Sequence, residues 1–371
     1  MSKVITNAFR DPVLGKELIE AISRQAAVFM DKHQRKFNLM EVCGTHTVSV
    51  SKAGLRDVFQ DQIEFISGPG CPVCVTSHED IDYMIELAKQ PDVILCTFGD
   101  MMRVPGSDSS LAVEKANGCD VRVLYSPIEA LDIAVENPTK KVIFLGVGFE
   151  TTTPIIAATL DMAEKRAIAN YYVYTVHKVC PPVLEMLFQD PNLNVDGLLL
   201  PGHVAAVVGR RALDFVAAEH SVPSSIAGFE PLDVLAAIFD IIRMVNEGKA
   251  EVTNQYLRIV TEEGNTVAQN VIDQYFEITD SKWRGIGNIE NSGLQLRPEF
   301  RQYDARYLFD ITVPESAKTR GCRCGEVLTG HIKPMECAHF AKSCTPVNPV
   351  GPCMVSYEGT CATYYKYERK V

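Results

Sequence analysis

Short apolar runs alternate with helical patterns along most of this chain, and this alternation limits the possible folds more than any other feature. Helical spacing of apolar residues predicts helices between the runs. The runs themselves predict strands at residues 37–42, 63–67, 93–97, 121–125, 141–145, 171–176, 197–200 and 225–227. Strands that alternate with helices and are apolar on both faces are typical of parallel sheets covered on both sides. The sequence therefore predicts an α/β fold.

These strands are many for one sheet with such short crossovers, so we expect two α/β lobes. The turn at residues 118–120 marks the predicted boundary, which gives lobe I at 36–118 and lobe II at 119–231. The remaining residues, 1–35 and 232–371, are predicted to form a third, α-rich region that ends in a cysteine-rich tail at 322–361. Loops rich in small and polar residues follow the strands, and two facing lobes would bring these loops together over one cleft.

The charge and hydropathy of the chain argue against two classes of partner. Its 371 residues carry a net charge of −11, so it lacks the basic surface that nucleic-acid binding needs. Residues 1–10 contain no apolar signal-peptide segment, and the longest apolar run is far short of the ~18 residues that span a membrane. We therefore expect a cytoplasmic protein. In that reducing compartment, clustered cysteines indicate metal binding or catalysis rather than structural disulfides.

Half of the 12 cysteines lie in the last part of the chain. They are Cys322, Cys324, Cys337, Cys344, Cys353 and Cys361. Four thiolates from such a segment can hold a [4Fe–4S] cluster or a zinc ion, and the spacing alone does not choose between them. At least two of these cysteines are therefore spare.

An earlier group of cysteines indicates thiol chemistry. Cys71 and Cys74 form a Cys-x-x-Cys motif in a Gly-Pro-Gly loop, just before a predicted helix whose dipole would favour a thiolate. The pair is either a redox dithiol or half of a zinc site completed by Cys43, His46 or His78. Cys43 ends a predicted strand, so its thiolate would face the cleft with His46 beside it. The alternative is a buried, unreactive thiol.

Further polar residues lie on loops that follow predicted strands. Asp100, Glu150 with the adjacent Thr151, His203 and Glu230 occupy such positions, where α/β sheets bind ligands. Each is either part of the cleft chemistry or a helix cap. The Gly-x-Gly at residues 146–148 lacks the third glycine of the dinucleotide fingerprint, and no P-loop sequence occurs. We therefore do not predict NAD or ATP binding.

Several runs of the sequence together resemble one protein family. They are residues 41–46 (EVCGTH), 68–74 (GPGCPVC), 97–100 (TFGD), 103–106 (RVPG), 148–152 (GFETT), 201–204 (PGHV), 227–231 (AGFEP), 322–326 (CRCGE) and 356–361 (SYEGTC). In these runs the chain resembles the HypD family, the iron–sulfur maturation factors of [NiFe] hydrogenases. The resemblance extends over essentially the whole chain, and the joint occurrence of the runs is highly specific.

The resemblance implies two α/β lobes with a cleft between them and a third region with a [4Fe–4S] cluster. It also implies a scaffold for assembly of the Fe(CN)2CO group, working with a HypC-type chaperone and receiving cyanide from HypE with HypF. Cys43 would hold the iron with the chaperone's N-terminal cysteine, while Cys71 and Cys74 would exchange electrons with the cluster. Cys322 and Cys353 would be spare. The implied cluster ligands are Cys324, Cys337, Cys344 and Cys361.

Three functions follow from these residues. The first is a metal-centre assembly scaffold with thiol and iron–sulfur redox capacity, in which Cys43 is the iron ligand. In that scaffold, the cleft is shaped by His46, Asp100, Glu150, Thr151 and His203. The second is an iron–sulfur-dependent thiol–disulfide reductase that acts on another protein through Cys71 and Cys74. The third is a zinc-stapled binding protein with no redox role. The resemblance favours the first.

Overall fold

A computed structural model describes residues 9–313 and 321–369, and it confirms the predicted α/β class. The strands are β1 Phe37–Glu41, β2 Ile63–Ser67, β3 Val93–Thr97, β4 Val121–Val123, β5 Lys141–Gly146, β6 Tyr171–Thr175, β7 Gly197–Pro201, β8 Ser224–Ala227, β9 Val252–Asn254, β10 Phe276–Trp283 and β11 Gly287–Leu296. The ends of the predicted third region, together with residues 314–320 inside it, lie outside the described residues.

Helices connect the strands and cover the sheets. They are α1 Pro12–His33, α2 Gly44–Lys52, α3 Leu55–Val58, α4 Pro72–Val75, α5 His78–Ala88, α6 Leu111–Ala116, α7 Glu129–Glu136, α8 Thr153–Lys165, α9 Cys180–Phe188, α10 Gly202–Val208, α11 Phe215–Ala218, α12 Pro231–Glu247, α13 Thr266–Tyr275, α14 Cys324–Leu328 and α15 Thr360–Tyr367. Short 3-10 segments lie at Gly99–Arg103, Arg211–Leu213, Pro298–Tyr303, Ala305–Tyr307, Pro334–Glu336 and Pro352–Met354. No helix of the described ranges is long and apolar enough to cross a membrane.

Two parallel sheets form the centre of the molecule. The first has the strand order β2-β1-β7-β8-β9, and the second has the order β4-β3-β5-β6. Every residue of the central strands β3 and β7 is buried. Burial on both faces explains why these strands appear in the sequence as continuous apolar runs rather than as alternating patterns.

The strands group into sheets differently from the predicted lobes. After β2 the chain leaves the first sheet, builds the whole second sheet, and returns to the first sheet at β7. Strand β3, from predicted lobe I, pairs with β4 and β5 of predicted lobe II. The turn at residues 118–120 therefore does not separate the sheets. An apolar run indicates that a strand is buried, but it does not specify the neighbour with which that strand pairs.

Helices α1 and α12 pack together against the first sheet. Asp11 caps α1, and its Oδ1 accepts a hydrogen bond from the Val13 N–H at 2.8 Å. Ile22 of α1 shares a buried cluster with Ile238 and Ile241 of α12. The N-terminal helix and the helix that begins at residue 231 therefore belong to the core of the first sheet.

An antiparallel hairpin, β10–β11, follows α13 and was not predicted from the sequence. Its strand β10 alternates between exposed and partly buried residues along its middle, so its apolar signal is weak. At the hairpin tip, Trp283 is buried and its Nε1–H donates to Ser292 Oγ at 2.8 Å. Gly285 completes the turn with a positive φ of 73°, a conformation that favours glycine. The hairpin tip thus enters the core although the strands are partly exposed.

The cysteine-rich tail folds back onto the carboxyl ends of the sheets. Helix α15 contacts α2, and the 3-10 segment Pro352–Met354 contacts α4. Arg56 joins the tail to β1, because its guanidinium donates to both carboxylate oxygens of Glu41 at 2.6 and 2.7 Å and lies 4.8 Å from the Tyr364 ring. These contacts bring the last cysteines of the chain close to the loops that follow β1 and β2.

Candidate functional site

A pocket of about 170 Å³ lies where loops from both sheets meet the cysteine-rich tail. Its walls come from the loops after β1, β2, β5, β6 and β7, at the carboxyl ends of parallel strands where α/β proteins bind ligands. The lining residues are Val42, Cys43, Thr45, Gly70, Pro72, Phe149, Thr151, Thr152, Cys180, Pro201, His203, Val204 and Glu358. The predicted Cys43, Thr151 and His203 therefore share one pocket.

Cys43 presents a half-buried thiol to this pocket. The residue follows β1 and caps α2 with extended backbone geometry, so the start of the helix directs it away from the strand. The loop after β2 holds it in place: a Cβ on Gly70 would lie 1.8 Å from the Val42 carbonyl oxygen, so only glycine fits there. Burial and the nearby Glu358 carboxylate raise the pKa of the Cys43 thiol to about 11.

His46 lies behind the pocket wall and is not among the residues that line it. It is fully buried, and its Nε2 lies 3.0 Å from the carbonyl oxygen of Gly228 and 3.3 Å from that of Ala227. Burial lowers the pKa of His46 to about 4, so the neutral ring donates Nε2–H to these carbonyls. His46 therefore ties the loop after β1 to the loop after β8.

Glu358 links the tail to the pocket, and the sequence did not single it out as a site residue. Its Oε1 accepts a hydrogen bond from the Thr45 hydroxyl at 2.6 Å, two residues from Cys43. Burial, together with the charge of Asp100, raises the pKa of the Glu358 carboxyl. Asp100 itself is outside the pocket lining, and burial raises its pKa too. The run SYEGTC at 356–361, which contains Glu358, is the sequence feature that could have identified it.

Glu150 lies just outside the pocket, beside the lining residue Cys180. Its Oε1 accepts a hydrogen bond from the Cys180 N–H at 2.7 Å, and its Oε2 has no partner among the described residues. Burial raises the pKa of Glu150 to about 7. Cys180 was an isolated cysteine in the sequence, with no motif to mark it. The pair provides a proton-carrying carboxyl and a second buried thiol close to Cys43.

Cys71 and Cys74 are joined by a disulfide beneath the pocket. Their Cα atoms are 5.2 Å apart, and Cys71 Sγ also accepts the Cys74 N–H at 3.2 Å. Only 1% of Cys71 and 0% of Cys74 is exposed, although Pro72 between them lines the pocket. His78, a candidate zinc ligand, is instead hydrogen-bonded through Nδ1 to Arg284 at 2.9 Å. The disulfide is thus shielded from solvent.

The six tail cysteines line a single cavity. Cys324, Cys344 and Cys353 are buried, and the other three are half-buried. Backbone N–H groups approach the sulfurs: Val350 donates to Cys344 Sγ at 3.3 Å, and Cys361 donates to Cys353 Sγ at 3.2 Å. Such N–H···S bonds are typical of iron–sulfur sites. The cavity does not separate the four predicted ligands from the two predicted spares.

The six cysteines of this cavity offer enough thiolates for either a [4Fe–4S] cluster or a tetrahedral zinc site, each of which takes four. Among the described residues, three metal-ligand atoms already lie within 4.8 Å of one another in the surface set Glu185, Glu219 and His220. The cysteine-rich tail is therefore compatible with metal or iron–sulfur binding.

Comparisons with known proteins agree on one family. The family described as "HypD: Hydrogenase formation hypA family" matches residues 14–368. The "Hydrogenase maturation factor HypD" of Rhodobacter capsulatus is 43% identical over 364 residues, with 97% of each chain covered. The protein of that name from Escherichia coli (strain K12) is 43% identical over 363 residues, with 98% of this chain and 97% of the relative covered. The chain therefore belongs to the HypD family.

Proposed function

We propose that this chain is a hydrogenase maturation factor, and that it acts as the scaffold on which the Fe(CN)2CO group of a [NiFe] hydrogenase is assembled. Membership of the HypD family and the names of its relatives support the maturation role. The observation that carries the scaffold role is the pocket around Cys43. A thiol, the loop of a disulfide and a carboxylate from the cysteine-rich tail meet there.

Cys43 is the proposed ligand of the iron that is being built. Iron bearing cyanide and carbon monoxide is a soft centre, which a thiolate suits. Because the pKa of the Cys43 thiol is raised, binding of iron releases its proton. Glu358, hydrogen-bonded to Thr45 and lining the same pocket as the thiol, is the carboxylate proposed to receive it. The hydroxyl of Thr151 and the ring of His203 line the same pocket and are the proposed donors toward cyanide nitrogens.

The disulfide and the tail provide the proposed redox function. A [4Fe–4S] cluster held by Cys324, Cys337, Cys344 and Cys361 would supply electrons one at a time. Cys71–Cys74 takes up two electrons and two protons when its S–S bond breaks to give two thiols. A low-potential one-electron carrier protein is the external donor. The packing of α4 against Pro352–Met354 keeps the disulfide next to the cysteine-rich cavity.

The proposed partners follow from the same assignment. A HypC-type chaperone shares the iron through its N-terminal cysteine, and HypE with HypF delivers cyanide. The exposed Thr151 and His203 form the rim at which these proteins approach the pocket. We place this work in the cytoplasm, where the net charge of −11 keeps the chain away from nucleic acid.

The alternative function is an iron–sulfur-dependent reductase of disulfides in other proteins. Exchange with a protein disulfide requires direct attack by a thiolate on the substrate sulfur. The near-complete burial of Cys71 and Cys74 prevents such an approach in this conformation. Burial therefore favours an internal role for the pair over the reductase role.

Infrared spectroscopy tests the scaffold function. The protein is co-expressed with its small chaperone and the cyanide-delivery proteins and purified without oxygen. We expect cyanide and carbonyl stretching bands in the wild type that disappear in Cys43→Ala. Cys119→Ala is the matched control, because Cys119 is also a half-buried free cysteine but does not line the pocket.

Bands that persist in Cys43→Ala would refute Cys43 as the ligand. A wild type without bands, yet with bound chaperone and four irons, would favour the reductase.

A further inference from the structure

Arg284 is a buried cation at the tip of the β10–β11 hairpin. The residue is 2% exposed. Its Nη2 lies 2.9 Å from His78 Nδ1, but its Nε and Nη1 have no hydrogen-bond partner among the described residues. Burial lowers the pKa of Arg284, yet a guanidinium keeps its proton in proteins. Unpaired N–H groups on a buried cation are costly, so they indicate an acceptor that completes the site.

The hairpin tip contacts the start of the cysteine-rich tail. The backbones of Gly285 and Gly325 touch, since a Cβ on Gly285 would lie 2.6 Å from the Gly325 Cα. Gly325 directly follows Cys324. Cys322 and Cys324 both line the cysteine cavity. The hairpin tip that carries the buried guanidinium therefore lies against the segment that supplies these two cysteines.

The same residue is bonded to the disulfide helix. The backbone N–H of Arg284 donates to the carbonyl of Val75, the residue after Cys74, at 2.8 Å. The preceding residue, Trp283, forms a β-bridge with Thr76. Arg284 thus contacts the disulfide segment through its backbone, and the hairpin tip that carries it contacts the tail at Gly325.

We infer that Arg284 is a positioning residue that sets the reduction potential of the tail cluster through its charge and its N–H groups. This inference rests on the proposed function, because it requires a [4Fe–4S] cluster in the tail cavity. A cluster with four thiolates is anionic, and reduction adds one more negative charge. A buried cation favours that added charge, since Coulomb interactions are strong where water is excluded. Hydrogen bonds to the sulfurs act in the same direction.

Redox titration of three variants tests this role. Arg284→Gln removes the charge, and Arg284→Lys retains it. Arg122→Gln is the matched control, because the Arg122 side chain is 37% exposed, is paired with Asp120 and does not line the cysteine cavity. We expect Arg284→Gln to lower the affinity of the cluster for an electron at least tenfold, which makes its reduction potential about 59 mV more negative for a one-electron couple. Arg284→Lys is expected to stay closer to wild type, and Arg122→Gln to match it.

Equal potentials in wild type and Arg284→Gln would overturn the inference, and so would equal shifts in the Gln and Lys variants. Iron and sulfide are measured first, so that the two proposals fail separately. A wild type without four irons would overturn the cluster and the inference together. A complete cluster with an unchanged potential would overturn only the role of Arg284.

A second measurement does not depend on the folding of an Arg284 variant. Because Arg323 lines the cysteine cavity, its guanidinium is first removed in Arg323→Gln. That variant is labelled with ¹⁵N-arginine, and the reduced cluster is examined by electron–nuclear double resonance. We expect a ¹⁵N coupling from a guanidinium close to a cluster sulfur. A spectrum without ¹⁵N coupling, in a sample with a complete cluster, would overturn the inference.

Discussion

The polar residues near Cys43 divide into those that face the pocket and those that hold its walls. Thr151 and His203 line the pocket, as the loop positions predicted. His46 was expected beside the thiol, but it lies behind the wall with Nε2 on backbone carbonyls. For Thr151, His203 and His46, the sequence pattern identified the loop but not the direction of the side chain. Which side of the loop a side chain faces depends on the start of α2 and on the loop after β8.

Glu150 provides a prediction about pH and stability. Its pKa is about 7 in the folded protein against an ordinary value of 4.5, because burial disfavours the carboxylate. The stability that follows from the neutral form is present below pH 4.5 and is lost as pH rises toward 7. A shift of this size corresponds to about 3 kcal/mol in the free energy of unfolding. Glu150→Gln should therefore stabilise the protein relative to wild type at pH 8 more than at pH 4.5.

Urea unfolding of both proteins at the two pH values checks this expectation. Glu17→Gln is the control, because Glu17 is exposed on α1 and undergoes the same chemical change. Identical pH dependence in wild type and Glu150→Gln would contradict the assignment of a raised pKa to Glu150.

At the scale of elements, strand positions were predicted well and pairing was not. The bounds of β2 and β3 match the prediction, and the other predicted strands differ by a few residues at their ends. The hairpin β10–β11 was missed because its exposed face carries polar residues and leaves no continuous apolar run. Strand order is a property of tertiary packing, so the run of strands along the chain did not reveal that β7 returns to β1.

Helix α1 precedes both predicted lobes, yet its packing predicts that it is structural. Ile22 is fully buried against α12, whereas Val28 on the same helix is 56% exposed. Ile22→Ala should lower the free energy of unfolding by about 2–5 kcal/mol, because it removes buried methyl groups and leaves a cavity. Val28→Ala should change it by less than about 1 kcal/mol. Urea unfolding measures both, and equal effects would show that α1 is not part of the core.

At the scale of the whole molecule, the tail closes the structure over the site. Arg56 joins Glu41 of the first sheet to Tyr364 of the tail, and Glu358 reaches the Cys43 pocket. The disulfide helix lies between the pocket and the cysteine cavity. This order places the proposed electron source, the dithiol and the iron ligand in one continuous region.

The metal content of the purified protein is the prediction that belongs to this scale. We expect about four iron and four acid-labile sulfide per chain in protein purified without oxygen, because four of the six thiols that line the tail cavity are the proposed ligands of a [4Fe–4S] cluster. Cys324→Ser should lose iron and sulfide together. The control Cys119→Ser, outside the cysteine cavity, should retain both. Zinc at one per chain without sulfide would contradict the cluster and support the zinc-stapled alternative.

The sequence by itself determined the α/β class, most strand positions and the cysteines that are proposed to carry thiol chemistry. These features are local, since burial produces apolar runs and motif spacing brings ligands into reach of one another. Only the tertiary structure decided which strands pair, that Glu358 and Cys180 join Cys43, and that the hairpin tip with Arg284 contacts the tail. Those contacts join residues far apart in the chain. Their positions depend on packing between elements, which no single segment of the sequence specifies.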